Sequence, residues 1–482
     1  MRIVVLVILF AANLSYAQTY TASAPVSLGS GFGYNHPQIE IANDGNPLVL
    51  WTDYANLNIN LARHNGTGGF NTPVQLNPPG LEVQSYNWSG PDLSIDGNNV
   101  YVVFSSNGYE AAHIYVVKST DNGLTFGDTV RVDNLTAGFG QFPDIVALND
   151  TLWVTFMRHD AGGLNPRYVV CRSTDGGASF SNDVAAGEIL VGEACSCCQP
   201  EIIANEDRVI LFFRNNASNI REIKGVISTD RGESFTEWIS VDDHNFYLNG
   251  CPSTGPDARF LTRDTCIAIY RTIVNSSVRI YAHEYDLGAN SSIGEVQITP
   301  SGATSFSLNY PQIATSNGLI GAVWESSGNG TDVFFNASSS GIGGLNPANA
   351  INISDLAGTQ FRADIAISNG LFHMIYSDMP DADIKYVQIT SLAGIPDDEQ
   401  RMSISAYPNP ATDVLNVSIR SDKPITGILS LSTINGQAIR KRVLNVSGFN
   451  STHRIALDGC SKGMYILRVE SESETFSKRI VL

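Results

Sequence analysis

Apolar residues along the chain fall into short runs rich in Val, Ile, Tyr and Phe, each bounded by Gly, Asn or Asp. That is the pattern of short strands joined by tight turns. The runs recur as a unit: a Pro, a polar residue and an aliphatic residue, then a turn, then an apolar run that ends in an aromatic. The phrase reads Pro37-Gln38-Ile39 to Trp51, Pro91-Asp92-Leu93 to Phe104, Pro143-Asp144-Ile145 to Phe156 and Pro200-Glu201-Ile202 to Phe213. It continues with Pro256-Asp257 to Tyr270, Pro311-Gln312-Ile313 to Trp324 and a degenerate Ala363-Asp364-Ile365 to Tyr376. Successive starts lie 54, 52, 57, 56, 55 and 52 residues apart, which makes seven units. The second unit shows the internal pattern, with strands predicted at Asp92–Ile95, Val100–Phe104, His113–Lys118 and Thr129–Val132.

Four short antiparallel strands per repeat of this length predict the blade of a β-propeller. The last unit offers only three strands, ending near Val387–Thr390, and a spare strand precedes the first unit at Thr21–Leu28. If that strand completes the last blade, the ring closes by pairing both ends and leaves no open sheet edge. This favours seven blades over six. The expected class is therefore all-β, a propeller over residues 18–392.

Two stretches fall outside the repeat. At the start, Arg2, the apolar run Ile3–Ala12 and Ser15-Tyr16-Ala17 before Gln18 read as an export signal over residues 1–17. No other stretch approaches the ~20 apolar residues of a membrane-spanning helix. At the other end the polar Ile395-Pro396-Asp397-Asp398-Glu399 opens a linker over 393–404, and a separate module of alternating strands, a small β-sandwich, occupies 405–482.

Composition agrees with an exported all-β protein. Charged residues are 16% and hydrophobic residues 43%, and 29 basic against 47 acidic residues leave a net charge of −18. Such a surface repels phosphate backbones and anionic lipid, so nucleic acid is not an expected partner. Seven cysteines, an odd number, mean at least one free thiol or an intermolecular bond in an oxidising compartment. A Walker loop, a dinucleotide fingerprint, His-Glu-x-x-His and Gly-x-Ser-x-Gly are all absent, which sets those enzyme classes aside.

Three octets recur in phase with the blades: Ser119-Thr120-Asp121-Asn122-Gly123-Leu124-Thr125-Phe126, Ser173 to Phe180 around Asp175 and Gly177, and Ser228 to Phe235 around Asp230 and Gly232. Ser and Asp side chains can bond turn amides, Gly can take a positive φ, and the aromatic can plug the gap between sheets. The octets are similar to the Asp box of sialidases and their relatives. In that family the boxes sit on the turn between the third and fourth strands, away from the active site, and are structural. The C-terminal module, with Tyr407-Pro408-Asn409-Pro410, Asn435-Gly436 and Gly463-Met464-Tyr465, resembles the type A sorting domain of the type IX secretion system. That resemblance implies passage across an outer membrane, partnership with the secretion machinery, and release or surface attachment after the domain is removed.

In a propeller the first strand of each blade lines the channel, so the residue after each Pro and the end of each aromatic run meet at one mouth. The first position carries Gln38, Asp92, Asp144, Glu201, Asp257, Gln312 and Asp364. The second carries Thr52, Ser105, Met157, Arg214, Arg271, Glu325 and Ser377, with Arg158 displaced by one. The pattern predicts an acidic ring interleaved with arginines. It suits either a pocket for a sugar or carboxylate or a set of blade-to-blade ion pairs. By resemblance to sialidases, Arg158, Arg214 and Arg271 would hold a substrate carboxylate beside Asp144, Glu201, Asp257 and Asp364. Tyr310 with Glu325 would be the nucleophile pair and Asp92 the acid. The Arg-Ile-Pro motif of true sialidases is absent and those enzymes have six blades. The expectation is thus an exported propeller, a monomer, that binds or hydrolyses a glycan, exo-α-sialidase-like if it is active.

Cys195-Ser196-Cys197-Cys198 and Asn249-Gly250-Cys251 precede the fourth and fifth blades at the same mouth. Cys195, Cys197, Cys198 and Cys251 are read either as disulfides stapling the connections or as a copper or zinc site with His36, His159 or His244 nearby. A metal-handling propeller, or a surface scaffold or adhesin, is the alternative to a glycan site. No other cofactor is implied.

Overall fold

A computed structural model describes residues 20–29, 36–84, 86, 89–108, 110–300, 308–327, 330–354, 357–391, 402–407, 411, 414–421, 425–433, 437–446, 450–471 and 475–482. The signal expected over 1–17 and most of the linker expected over 393–404 lie outside these residues. The chain divides into two compact units at residues 393 and 394.

In the first unit the described strands form seven antiparallel sheets in chain order, one per sequence repeat. Their innermost strands are Gln38–Ile41, Asp92–Asp96, Phe139–Leu148, Glu201–Ala204, Asp257–Phe260, Leu308–Ser316 and Gln360–Ser368. In the last sheet Tyr20–Ala22 pairs with Asp383–Ser391, Tyr20 opposite Ser391 and Ala22 opposite Ile389. Val26–Ser27 pairs lower on the same strand, Val26 opposite Tyr386. The spare segment before the first unit thus closes a seven-bladed ring.

The blades hold together because each sheet is apolar on both faces and stacks on its neighbours. Tyr101, Val103 and Ile114 of the second blade pack on Ile145, Leu152, Val154 and Phe156 of the third. Val49 and Trp51 of the first pack on Ile375, Ile384 and Tyr386 of the last. Burying each such side chain contributes about 1.5–3 kcal/mol. Aromatic size keeps wedge-shaped gaps between twisted sheets filled.

The three octets form equivalent turns between the third and fourth strands of blades two to four. Ser119 Oγ donates to Asp121 Oδ1 at 2.7 Å and accepts from Gly123 N at 2.9 Å, and Thr125 N donates to the same carboxylate at 2.8 Å. Ser173, Asp175, Gly177 and Ser179 repeat the set, as do Ser228, Asp230, Gly232 and Ser234. Gly232, at φ +83°, lies against Trp153 of the preceding blade, whose Nε1 donates to Arg231 O at 2.7 Å. Phe126, Phe180 and Phe235 pack into the inter-blade cores.

The second unit has two antiparallel sheets. One holds Met402–Tyr407, Val414–Ser421 and Asn450–Ala456; the other holds Ala438–Val446, Ile425–Thr433, Met464–Ser471 and Thr475–Val481. Leu415, Val417, Leu429, Leu431, Leu467 and Ile480 form its core. The strand Met402–Tyr407 begins inside the span expected to be linker. No described helix is long and apolar enough to cross a membrane.

Candidate functional site

The residue before the Pro, or before its substitute Ala363, holds the same place in every repeat, and four of the seven line one cleft. Around the ring the seven are His36, Gly90, Phe142, Gln199, Gly255, Tyr310 and Arg362. His36, Phe142, Tyr310 and Arg362 have φ of 40°, 53°, 44° and 54°. In the third, sixth and seventh blades the register slips at this point, between Gln141 and Asp144, Asn309 and Gln312, and Phe361 and Asp364. A left-handed conformation at a bulky residue costs on the order of 1–3 kcal/mol, and such residues concentrate at working sites. The two glycines make room. A Cβ on Gly90 would fall 2.5 Å from the His36 side chain, and one on Gly255 would fall 1.9 Å from Gln199 O.

From nearly opposite sides of the ring, the Gln199 amide donates to His36 Nε2 at 2.9 Å. Gln199 borders two cavities. One, of about 290 Å³, is lined by Glu40, Asp92, Asp144, Glu201, Arg259 and Asp364 among others. The other, a smaller cleft, is lined by His36, Gln199, Tyr310 and Arg362 among others. Gln38 and Gln312 reach both. Burial, then the Arg362 charge, pull His36 down to about 3, so its imidazole is neutral at physiological pH.

Tyr310 and Glu325 meet at this mouth, since Glu325 pairs with Asn309 across the strands of the sixth blade. The Arg362 guanidinium lies over the Tyr310 ring, 3.2 Å from its centroid, and the Arg362 backbone N donates to Glu325 Oε1 at 2.7 Å. Burial raises both Tyr310 and Glu325, with Arg362 opposing the shift in each case. Arg271 comes from the fifth blade. Its Nε donates to Leu308 O at 2.9 Å, while its buried Nη1 has no acceptor among the described residues. Burial, then Arg214, lower it to about 10.

Arg214 and Arg158 are engaged by other groups of the chain. Arg214 has no exposed surface and gives its donors to Thr254 O, Arg221 O and Arg271 O at 3.1, 2.7 and 2.8 Å. It staples the fourth blade to the fifth, which corrects the expectation that it contacts substrate. Arg158 is partly exposed; its Nη1 binds Asp183 at 2.6 Å within its own blade, and its buried Nε has no acceptor among the described residues. No three-arginine clamp forms from these residues.

The acids of the ring also work between blades. Asp144 Oδ2 accepts from Ile202 N, Asp257 Oδ2 from Ile313 N at 2.6 Å, and Asp364 Oδ2 from Ile39 N at 2.8 Å. Glu201 and Asp257 share Arg259. Burial raises Asp144, Glu201, Asp257 and Asp364. Asp92 lines the larger cavity with them, and Tyr310 lines the adjoining cleft, which shares Gln38, Gln199 and Gln312 with it.

Beside the mouth, Cys197 and Cys251 form a disulfide, with Cα atoms 6.3 Å apart. Cys195 and Cys198 are free and buried. Cys195 Sγ lies 3.6 Å from Cys197 Sγ and 3.5 Å from Cys198 Sγ, and Arg221 Nη1 donates to it at 2.9 Å. The Cys198 hydrogen bond, then Arg221 and Arg214, lower Cys195 to about 6 against burial, while burial raises Cys198. The sulfurs of Cys195, Cys197 and Cys198 lie within 4.8 Å of one another. With Cys197 and Cys251 bonded, two thiols remain, too few to fill a closed tetrahedral zinc site. His244 is held by Asp242 at 3.0 Å, His159 stacks on Phe139, and His36 is bound to Gln199, so none joins the sulfurs.

The sequence reading missed Arg362, Gln199, Arg221 and Arg259 as site residues. The signal for the first two was available: they precede the repeated Pro or Ala, two positions from Asp364 and Glu201, the ring residues that were read.

Residues 405–482 match the secretion system C-terminal sorting domain, which places the protein on the type IX route to the cell surface or extracellular space. No curated protein sequence matches the chain. Among solved structures the chain is similar to an ulvan lyase of a new polysaccharide lyase family, at 11% identity over 75% of this chain and 95% of that one, with a TM-score of 0.51. A Hadza microbial sialidase matches at 12% identity over 76% and 68%, with a TM-score of 0.46. The Trypanosoma rangeli sialidase in complex with the inhibitor DANA matches at 10% over 93% and 84%, with a TM-score of 0.43. At such identities the likeness is one of fold.

Proposed function

We propose that this exported propeller recognises a carbohydrate carrying an acidic group at the mouth formed by Tyr310, Glu325, Arg271 and Arg362. The observation that carries the reading is Arg271 Nη1, a buried guanidinium donor with no acceptor among the described residues. Leaving a charged donor buried and unpaired is costly, and a ligand carboxylate is the group that satisfies it best. Tyr310 supplies a ring edge and hydroxyl for the sugar, and Arg362 holds that ring in place.

Hydrolysis is the finer form of this reading. Tyr310 would attack the anomeric carbon as Glu325 takes its proton, and Glu325, raised by burial, is suited to that exchange. Protonation of the leaving oxygen needs an acid as well, the part expected of Asp92, which lines the neighbouring cavity. Recognition requires no such group.

The test is binding to an array of sialylated and uronate-containing glycans, with turnover of fluorogenic sialosides and uronides alongside. Losing a hydrogen bond to a charged group is worth about 1.5–3 kcal/mol, so Arg271→Ala should weaken binding roughly 10- to 150-fold with its melting temperature checked. Tyr310→Phe should keep binding and abolish any turnover. Equal binding of acidic glycans by wild type and Arg271→Ala, or no glycan bound at all, overturns the proposal.

A further inference from the structure

The cysteines beside the mouth form an arrangement that recognition of a sugar does not use. Residues 195–198 make a tight turn, in which Cys197 N and Cys198 N donate to Cys195 O at 2.8 and 3.3 Å. The turn brings Cys195 Sγ to 3.5 Å from Cys198 Sγ and 3.6 Å from Cys197 Sγ, one half of the disulfide. Arg221, whose Nη1 faces Cys195 Sγ, is fixed through its Nε to Leu248 O at 2.9 Å, in the segment that leads to Cys251. Cys195 and Cys198 are buried, whereas Cys251 is exposed. A guanidinium held against one sulfur favours its thiolate, the form that attacks disulfides.

We propose that Cys195, Cys197, Cys198 and Cys251 are a thiol–disulfide exchange centre, in which the bond between Cys197 and Cys251 passes to Cys195 and Cys198. In the first step the Cys195 thiolate attacks Cys197 Sγ. A Cys195–Cys197 bond forms, the Cys197–Cys251 bond breaks, and Cys251 leaves as a thiolate that takes a proton from water. In the second, Cys198 gives up its proton and attacks Cys195 Sγ; Cys197 leaves as a thiolate and is protonated in turn. One disulfide and two thiols are present before and after, so no outside oxidant or reductant is consumed. The product holds its disulfide inside one turn and frees the segment around Cys251, which includes Thr254, the acceptor of Arg214 Nε. The exchange thereby unfastens one wall of the mouth and exposes a thiol able to react with thiol or disulfide compounds in solution.

The full chain, folded and unreduced, is incubated with iodoacetamide at pH 8, quenched in acid and digested with trypsin. Cys195, Cys197 and Cys198 share the peptide 173–208, and Cys251 lies in 232–259, so the two pairings separate cleanly. The expected result is gradual alkylation of Cys251 and its release from the first peptide, which then carries one alkyl group and an internal disulfide. Cys195→Ser should abolish that release. Cys198→Ser, in which attack can occur without resolution, should accumulate the Cys195–Cys197 bond with Cys251 alkylated, and it keeps the test open if the first variant fails to fold. Persistence of the Cys197–Cys251 bond in wild type as in Cys195→Ser overturns the proposal. So does copper or zinc bound stoichiometrically, if its removal is what makes the thiols reactive. Neither result bears on glycan binding.

Discussion

Asp364→Ala tests whether the ring acids are the fasteners between blades. Asp364 uses both carboxylate oxygens: Oδ1 accepts from Ile365 N at 2.7 Å and Oδ2 from Ile39 N at 2.8 Å, the latter joining the seventh blade to the first. Alanine leaves both buried amides without an acceptor, at about 1–3 kcal/mol each. Asp364 lines the channel cavity, where water can reach part of the gap, so the lower end applies and the expected loss is about 2–3 kcal/mol. Asparagine is the sharper variant. Its single oxygen can serve one amide, while its NH2 faces the other, so Asp364→Asn should fall within about 1 kcal/mol of alanine. The assay is urea unfolding followed by tryptophan fluorescence, with the midpoint shifted and the slope unchanged. A loss below about 0.5 kcal/mol for alanine, or near-complete recovery with asparagine, would refute the reasoning.

Stability should also depend on pH through the same ring. Asp144, Glu201, Asp257 and Asp364 are raised by burial, so the folded state holds protons that the unfolded chain has lost above about pH 4. Their contribution therefore falls as pH rises from there through the folded values, while His36 and His373, lowered to about 3 and 4 by burial, contribute the opposite trend. The melting-temperature difference between wild type and Asp364→Asn, profiled against pH, isolates the acid and should be larger at pH 5 than at pH 8. Below about pH 4 the trend reverses as Asp121 and Asp175, held at about 2 by hydrogen bonds led by those from Thr125 and Ser179, take up protons. A flat difference profile between pH 5 and 8 would count against the buried acids being ionisable in the fold. Gly232→Ala adds a Cβ 2.7 Å from the Trp153 indole at φ +83° and should cost about 1–3 kcal/mol in a thermal melt. An unchanged melt would mean the octet turn does not fix that inter-blade contact.

The architecture was readable because a blade cannot bury its two faces alone. The same apolar phrase must therefore return at each turn of the ring, and the spacing of Pro37 through Ala363 counted the blades. The spare segment at Thr21–Leu28 appears as the two short strands that close the last blade. The site was less readable, because what opens or hides a side chain lies elsewhere in the chain. Arg214 reads as a guanidinium at the mouth, yet Thr254 and Arg271, 40 and 57 residues away, supply the carbonyls that consume it. Tyr310 and Arg362 are aimed by a left-handed backbone that their residue types normally avoid, so composition gave no hint of it. The pairing of Cys197 with Cys251 was one of several that spacing alone allows.

Closure of the ring through Tyr20–Ala22 has a temporal consequence. The first strand made finds its partner at Ile389–Ser391, nearly the whole propeller later. Joining ends that far apart costs about 3 kcal/mol more in chain entropy than closing a ten-residue loop, and nothing can repay it until the last blade exists. The nascent propeller is an open arc with a bare apolar sheet face at each end. A chain truncated before Asp383 would lack the strand that both Tyr20–Ala22 and Val26–Ser27 pair with, and its expected fate is to associate with another copy of itself.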